Sequence, residues 1–289
     1  MDAQRFDLDE YLMLTGADPK IRKYSQANLE LLTALVARHV STVHYQNYDL
    51  LTRKEILDMT PGALLQRLLI NGRGGMCYET SELIFHVLME FEFDVKRVPV
   101  VVLAGMPFNE TAPKDHNVLI VFLAGKKYLV DVGFGFNSLR RPIEFNFEST
   151  EEKSLAAGEE YQLLCAEEYY QLNFRLRGDW TSFYRFERPM NFINFRESID
   201  YYHNLVKFPG TTTIRDSVVF VGVVFEGGRF GFSCDYDTVE GAKNFSLLTV
   251  KEGIAKSQKL DVETFRETIG RHLKLDIIYT DQNNIIRFS

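Results

Sequence analysis

Cys77 leaves a glycine loop, Gly72-Arg73-Gly74-Gly75-Met76, and enters a segment whose apolar residues Leu83, Ile84, Val87, Leu88 and Phe91 recur at helical spacing. Glycines permit the positive-φ backbone of a tight entry turn, so the cysteine falls in the first turn of a helix. There the unpaired amides and the positive end of the macrodipole stabilise an anion. A thiolate is the nucleophilic form of cysteine, and helix N-termini are among the places where proteins build one. The same amides can receive a developing oxyanion. On its own the motif is also compatible with an inert, buried thiol.

A second run supplies partners. His116 opens Asn117-Val118-Leu119-Ile120-Val121-Phe122-Leu123, Ala124-Gly125-Lys126 interrupts it, and Lys127-Tyr128-Leu129-Val130-Asp131-Val132 returns. The pattern predicts a β-hairpin. With Ala124-Gly125 as a two-residue loop, Val118 lies opposite Asp131 and His116 is its diagonal neighbour on the same face, with Cα atoms about 7–8 Å apart. A register slip of one residue would put the two on opposite faces. Cys77, His116 and Asp131 then make a nucleophile, a base and an orienting carboxylate. A histidine satisfied at a strand end and a carboxylate anchoring the turn at Gly133 are the plainer readings of each residue taken singly. His86, nine residues after Cys77, projects from the opposite side of the helix and cannot serve as the base. Asp115 points away from the face that His116 occupies. His39 and His44 read as packing or capping groups, His203 and His272 have no evident partners, and Cys165 and Cys234 read as structural thiols.

These residues need a scaffold that brings a helix against a hairpin. Helices are expected up to about residue 95: one capped at Asp7, one from Ser25 to Val40, and one from Pro61 to Leu69 with proline in its first turn. Strands dominate afterwards: Val98 to Leu103, the hairpin, Tyr161 to Leu164, and Tyr169 to Phe174 predict a barrel-like lobe. The charged stretch Glu148 to Glu160 reads as a solvated loop. A third lobe has Val218 to Phe225, a turn at Gly227-Gly228, and a final helix from Val262 to Leu273. The expected lobes are 1–95, 96–205 and 206–289.

The chain has 289 residues, 45% of them hydrophobic, enough for two or three lobes. A net charge of −7 speaks against nucleic acid as a partner. No apolar run is long enough to span a membrane, no hydrophobic signal region opens the sequence, and three cysteines without framework spacing suit free thiols in a cytoplasmic protein. No residue cluster offers a set of metal ligands.

Arg73-Gly74-Gly75-x-Cys77, His116 and Asp131-Val132-Gly133-Phe134-Gly135 resemble the signature of the arylamine N-acetyltransferases. Val43-His44-Tyr45-Gln46-Asn47-Tyr48-Asp49-Leu50 is similar to that family's Pro-Phe-Glu-Asn-Leu segment, and the resemblance runs from about Phe6 to Pro142. It implies an α+β fold with an N-terminal helical bundle, a central antiparallel β-barrel-like domain and a C-terminal α/β lid around a cysteine-protease or transglutaminase-like core. It also implies ping-pong transfer of an acetyl group from acetyl-coenzyme A, through acetyl-Cys77, to arylamines, arylhydrazines or arylhydroxylamines, with His116 as base and Asp131 as its partner. The segment Ala104 to Asp115, with Gly105 and Lys114, would approach the coenzyme phosphates, and Thr211 and Thr212 its adenine end. Phe134 and Phe136 would wall the acceptor ring, and Arg73, Gly74, Gly75 and Gln46 would support the nucleophile. The implied partners are these small molecules, with no metal, and the implied state is a monomer or homodimer.

Three departures from the family pattern bear on this. Gln46 replaces a glutamate that pairs with the arginine of the glycine run, leaving Arg73 a neutral contact. Leu14-Thr15-Gly16 replaces Arg-Ile-Gly. Arg140 and Arg141 add two charges near the expected cleft mouth. A cysteine hydrolase with the same triad and a non-catalytic relic of the fold are the rival readings.

Overall fold

In the computed structural model, the described residues are 6–17, 21, 26–53, 57–145, 152–156, 159–175, 179–207, 218–237, 239–273, 278–282 and 286–288. The helices are α1 (Leu8–Leu14), α2 (Leu29–Thr42), α3 (Tyr48–Arg53), α4 (Pro61–Leu65), α5 (Cys77–Glu90), α6 (Phe195–Lys207) and α7 (Val262–Leu273). Asp7 caps α1 by accepting the amides of Asp9 and Glu10, and Asn28 caps α2 through Leu31 N. The second helix therefore starts at Leu29 and runs past Val40 to Thr42. The third predicted helix begins at Pro61, then widens into a π-turn over Gln66–Ile70 that leads into the glycine loop.

The strands are β1 (Tyr45–Gln46), β2 (Asp94–Val102), β3 (His116–Leu123), β4 (Lys126–Val130), β5 (Ile143–Phe145), β6 (Glu152–Ala156), β7 (Glu159–Cys165), β8 (Tyr169–Arg175), β9 (Thr181–Glu187), β10 (Val218–Phe225), β11 (Gly228–Asp237), β12 (Gly241–Lys251), β13 (Ile254–Lys259), β14 (Ile278–Thr280) and β15 (Ile286–Phe288). Eight of them form one antiparallel sheet in the order β5-β4-β3-β2-β9-β8-β7-β6. Among the described residues β5 and β6 are free edges, so the expected barrel is an open sheet. A second antiparallel sheet runs β1-β10-β11-β12-β13. Its first strand comes from the helical part of the chain, where Tyr45 pairs with Gly222 and Gln46 with Val221. The N-terminal and C-terminal thirds are thus joined by hydrogen bonds between strands.

Two expectations change here. The charged stretch before Glu160 contains β6 and the start of β7, because Glu159 finds buried partners described below. The β10–β11 turn falls on Glu226-Gly227, and Gly228 belongs to the strand, where a Cβ would press on the Phe225 ring at 2.6 Å.

Three cores result. The largest packs α1, α2, α4 and α5 around Leu32, Leu35, Tyr78 and Ile84, the second fills the eight-stranded sheet with Val118, Ile120, Tyr161 and Leu172, and the third packs α7 on the C-terminal sheet through Phe232 and Phe265. Buried charge fastens α5 to the larger sheet. Arg97 of β2 makes two 2.6 Å bonds to Glu82 of α5, which is fully buried and also meets His86 at 2.9 Å. Burial would raise the Glu82 carboxyl, but His86 and Arg97 together bring it below its ordinary value.

Candidate active site

Cys77 is the first residue of α5, as the glycine loop implies. Gly74 has φ +68°, and a Cβ there would lie 2.5 Å from the His44 ring. Only glycine lets the loop pass that close to β1. Gly75 accepts Gln46 N and donates to His44 O, while Tyr48 donates to Arg73 O. Glu79, buried in the first turn, accepts Met76 N at 2.7 Å and pairs with Arg67 at 2.7 Å. Tyr78 donates to Lys114 O and Ser81 to Asn117 O, which fixes the start of α5 against the start of β3.

The hairpin has the expected register. Ala124 and Gly125 both have positive φ, a two-residue turn, and Leu123 pairs with Lys126 and Leu119 with Val130. Extending that register puts Val118 opposite Asp131. His116 Nε2 lies 3.1 Å from Asp131 Oδ1, and both residues are buried. Asp131 Oδ1 also accepts Gly133 N at 3.1 Å, so it anchors the turn as well as meeting the imidazole. The ring also hydrogen-bonds with Cys77: burial alone would lower the His116 pKa, but the charge and hydrogen bond of Asp131, joined by Cys77, raise it to about 10. The Cys77 thiol also faces the carbonyl of Asp115 at 3.7 Å. An imidazole held between a carboxylate and a sulfur is the arrangement that receives a thiol proton.

His86 lies on the far side of α5, where it meets Glu82 and the Phe195 ring. The Asp115 carboxylate turns to Val102 N. His39 is buried against the Tyr11 hydroxyl at 2.9 Å, and burial lowers it to about 3; His44 is likewise lowered to about 4. Cys234 is buried, and burial pushes its thiol up to about 12.

A cavity of about 410 Å3 opens over Cys77 and His116. Its walls come from all three parts of the chain, including Tyr45, Phe134, Phe183, Leu205 and Phe220. Phe134 lies edge-on to His116 at 5.0 Å and tilted against Phe183 at 4.9 Å. Phe136 does not line the cavity. Gly222 and Gly231 make room for the residue in the C-terminal sheet: a Cβ on Gly222 would lie 2.6 Å from the carbonyl carbon of Gly135, against the backbone, and one on Gly231 would lie 3.1 Å from the Phe136 ring.

Two further expectations are corrected by ion pairs. Arg73 has a full carboxylate partner, Asp49, at 3.0, 2.8 and 2.5 Å, and Gln46 donates to that carboxylate at 2.8 Å. The one-turn spacing from Gln46 to Asp49 in the sequence was the available signal. Arg140 is no cleft-mouth charge: it pairs with Glu159 at 2.8 and 2.7 Å and donates to the carbonyls of Phe225 and Gly228. Gly105 N donates to Ser182 O, and Lys114 pairs with Glu187 at 2.5 Å, so both groups expected to meet phosphate are engaged. Thr211 and Thr212 lie outside the described residues.

Sequence reasoning missed the strand Thr181–Glu187, which brings Phe183 to the cavity and Tyr184 beneath Asp131; burial and then Asp131 hold the Tyr184 phenol well above its ordinary value. Its dense aromatic run was the only signal. It also missed Arg229, which is fully buried and binds Glu159 at 2.9 and 2.5 Å, Phe136 O at 2.8 Å and Ser138 O at 3.4 Å. Arg140, Glu159 and Arg229 together pin the β10–β11 hairpin and the turn after Phe134 to the larger sheet.

A family model described as N-acetyltransferase matches residues 28–236 of the chain. The chain belongs to the arylamine N-acetyltransferase family. It is 33% identical over 183 residues to the arylamine N-acetyltransferase of Mycolicibacterium smegmatis, covering 62% of this chain and 64% of that one. It is 32% identical over 161 residues to that of Escherichia coli strain K12, covering 55% of each. The matched sequence thus spans between about half and two thirds of the length of these curated relatives. The solved structure of the M. smegmatis arylamine N-acetyltransferase superposes with a TM-score of 0.75 at 26% identity, covering 93% of this chain and 92% of that one. The Mycobacterium marinum arylamine N-acetyltransferase in complex with CoA gives 0.78 at 23% identity over 94% and 93%. The fold of this family therefore extends over the C-terminal third, where the sequence resemblance had faded.

Proposed function

We propose that the protein transfers an acetyl group from acetyl-coenzyme A to the nitrogen of an arylamine or arylhydrazine, or to the oxygen of an arylhydroxylamine, through a thioester on Cys77. The observation that carries this reading is the meeting of Cys77 with the His116–Asp131 pair on the floor of an aromatic cavity. Family membership and the CoA complex of the M. marinum relative point to the donor.

Cys77 gives its proton to His116, and the sulfur attacks the acetyl carbonyl. The tetrahedral oxyanion falls near the first turn of α5, where Met76 N is already bound to Glu79 and the amides of Cys77 and Tyr78 have no partner within the helix. The coenzyme thiolate leaves and takes a proton from the imidazolium. In the second half-reaction the amine attacks the thioester, His116 removes its proton, and Cys77 is released. Asp131 orients the ring and stabilises its charged form in both halves. The aromatic wall of Phe134 and Phe183 fits a planar acceptor. The lobes 1–95, 96–205 and 206–289 would act as one catalytic unit in a reducing, cytoplasmic setting that keeps the three cysteines free.

Intact-mass measurement after incubation with acetyl-coenzyme A tests the scheme. One acetyl increment, absent from Cys77→Ala and discharged by an aromatic amine, is expected. Coenzyme release that no amine or hydrazine accelerates would instead indicate a hydrolase, and no acetyl increment at all would indicate a relic.

A further inference from the structure

Most of the cavity wall is apolar, and its polar side chains separate by what they touch. Cys77 and His116 carry the chemistry. Asp115 is engaged with Val102 N, and Thr181 sits at the exposed mouth. Two groups are left over. Among the described residues, neither the Tyr45 hydroxyl nor the Asn137 carboxamide has a hydrogen-bond partner.

Both are rigidly presented. Tyr45 pairs with Gly222 in β1–β10 and bridges to Gly75, two residues before Cys77, while its ring stands edge-on to Phe220 at 6.1 Å. The residue is 7% exposed, so the backbone and ring have no freedom to carry the hydroxyl elsewhere. Burial, followed by the charges of Cys77 and Asp115, raises the phenol well above its ordinary value and keeps it a neutral O–H. Asn137 ends the short turn Gly135–Asn137, donating its amide to Phe134 O at 3.0 Å. The carbonyls on either side of it, Phe136 O and Ser138 O, both accept from the buried Arg229. The backbone around Asn137 is thereby tied to Arg229, and Asn137 lines the cavity. Gly135 joins the two groups: a Cβ there would lie 3.3 Å from the Tyr45 ring. Tyr45 also falls where the resembled Pro-Phe-Glu-Asn-Leu segment carries phenylalanine.

Resting on the acetyl-transfer reading, we propose that Tyr45 and Asn137 are specificity-determining residues that select aromatic acceptors bearing a neutral hydrogen-bonding substituent on the ring. A purely apolar ring would strip water from both groups and return nothing. An ether, hydroxyl or carbonyl on the ring gives the bond back, and sites built this way discriminate against analogues that lack the polar group. An anionic substituent would face the Asp115 carboxylate and is disfavoured.

The test compares kcat/KM for 4-methoxyaniline and 4-ethylaniline in the unaltered protein, Tyr45→Phe, Asn137→Ala and the double variant. Taking the ratio within each protein and comparing ratios between proteins cancels the different basicity of the amines. Each single variant is expected to lower the methoxy preference about three- to tenfold, and the double variant further. The melting temperature should not change, since each substitution removes only an unpartnered group. A ratio within twofold of the unaltered protein in the double variant overturns the proposal while leaving acetyl transfer intact. Absence of the acetyl increment in the unaltered protein overturns both.

Discussion

The cavity has a floor and a far wall, and each is closed by a glycine that lets backbone meet backbone. On the floor, a Cβ on Gly133 would lie 2.7 Å from Cys77 Cα and 2.9 Å from Thr80 Oγ1. On the wall, a Cβ on Gly222 would collide with the Gly135–Phe136 peptide. The floor joins a helix start to one hairpin. The wall joins β10 to a turn that follows Asp131, and needs Arg229 and Glu159 to hold it. Under the proposed mechanism, damage to the floor should fall on acyl transfer itself, and damage to the wall on which acceptors are taken.

The largest effect expected is at the floor. Cys77→Ala should abolish the acetyl increment and lower turnover at least about 10^4-fold, as for other covalent nucleophiles. Asp131→Asn should lower turnover about 10^2- to 10^4-fold with little change in acceptor KM, because it removes the charge that holds His116 protonated without emptying space. Single-turnover acetylation of Cys77 reads both. An Asp131→Asn chain that acetylates at an undiminished rate would remove the orienting carboxylate from the scheme. Gly133→Ala should slow acetylation about 100-fold by pushing the end of β4 away from Cys77, an ångström-scale displacement of reacting groups.

This division matches what the sequence made legible. Floor residues are linked by local rules. Glycines precede a helix, alternation and a two-residue turn set the register of His116 against Asp131, and the 100° step of the helix removes His86. The wall depends on pairs distant in the chain, such as Glu159 with Arg229, and Gly222 with the turn before Phe136. A charged stretch looks solvated until its buried partners are known, which is why Glu148 to Glu160 read as a loop. Phe136 read as a cavity residue for a related reason: only the second sheet's glycines show where its ring goes. Gln46 was read against the family's glutamate, and the carboxylate had moved one helical turn on, to Asp49.

The wall is sharpened by Gly222→Ala. Overpacking of this kind typically costs about 1–3 kcal/mol of stability, read by denaturant unfolding. Acetylation of Cys77 should stay within a few-fold of normal while acceptor KM rises. Acetylation that falls as steeply as in Gly133→Ala would mean that floor and wall move together, and the comparison would fail.

The smallest effect expected is the floor's own proton. His116 in the folded chain is raised to about 10, against about 6.5 for an unperturbed imidazole. Between those values the folded state binds more protons than the unfolded one, so stability falls as pH rises, by at most about 1.4 kcal/mol per pH unit. The stabilisation is complete below pH about 6.5 and lost as pH passes about 10. His39 and His44, lowered by burial to about 3 and about 4, have the opposite sign: the unfolded state binds their protons, and stability gains from them as pH rises only up to about 6.5. The window from pH 7 to 9 is therefore free of them. Cys77 complicates it, because a proton passed from sulfur to imidazole leaves the total unchanged. In Cys77→Ala that exchange is gone while Asp131 still holds the ring. Urea unfolding from pH 7 to 9 should give a steeper loss of stability for Cys77→Ala than for the Cys77→Ala, His116→Gln double variant, with Cys234 and the tyrosines cancelling in the difference. Parallel slopes would mean that His116 is neutral on the floor and that Asp131 only anchors the turn at Gly133.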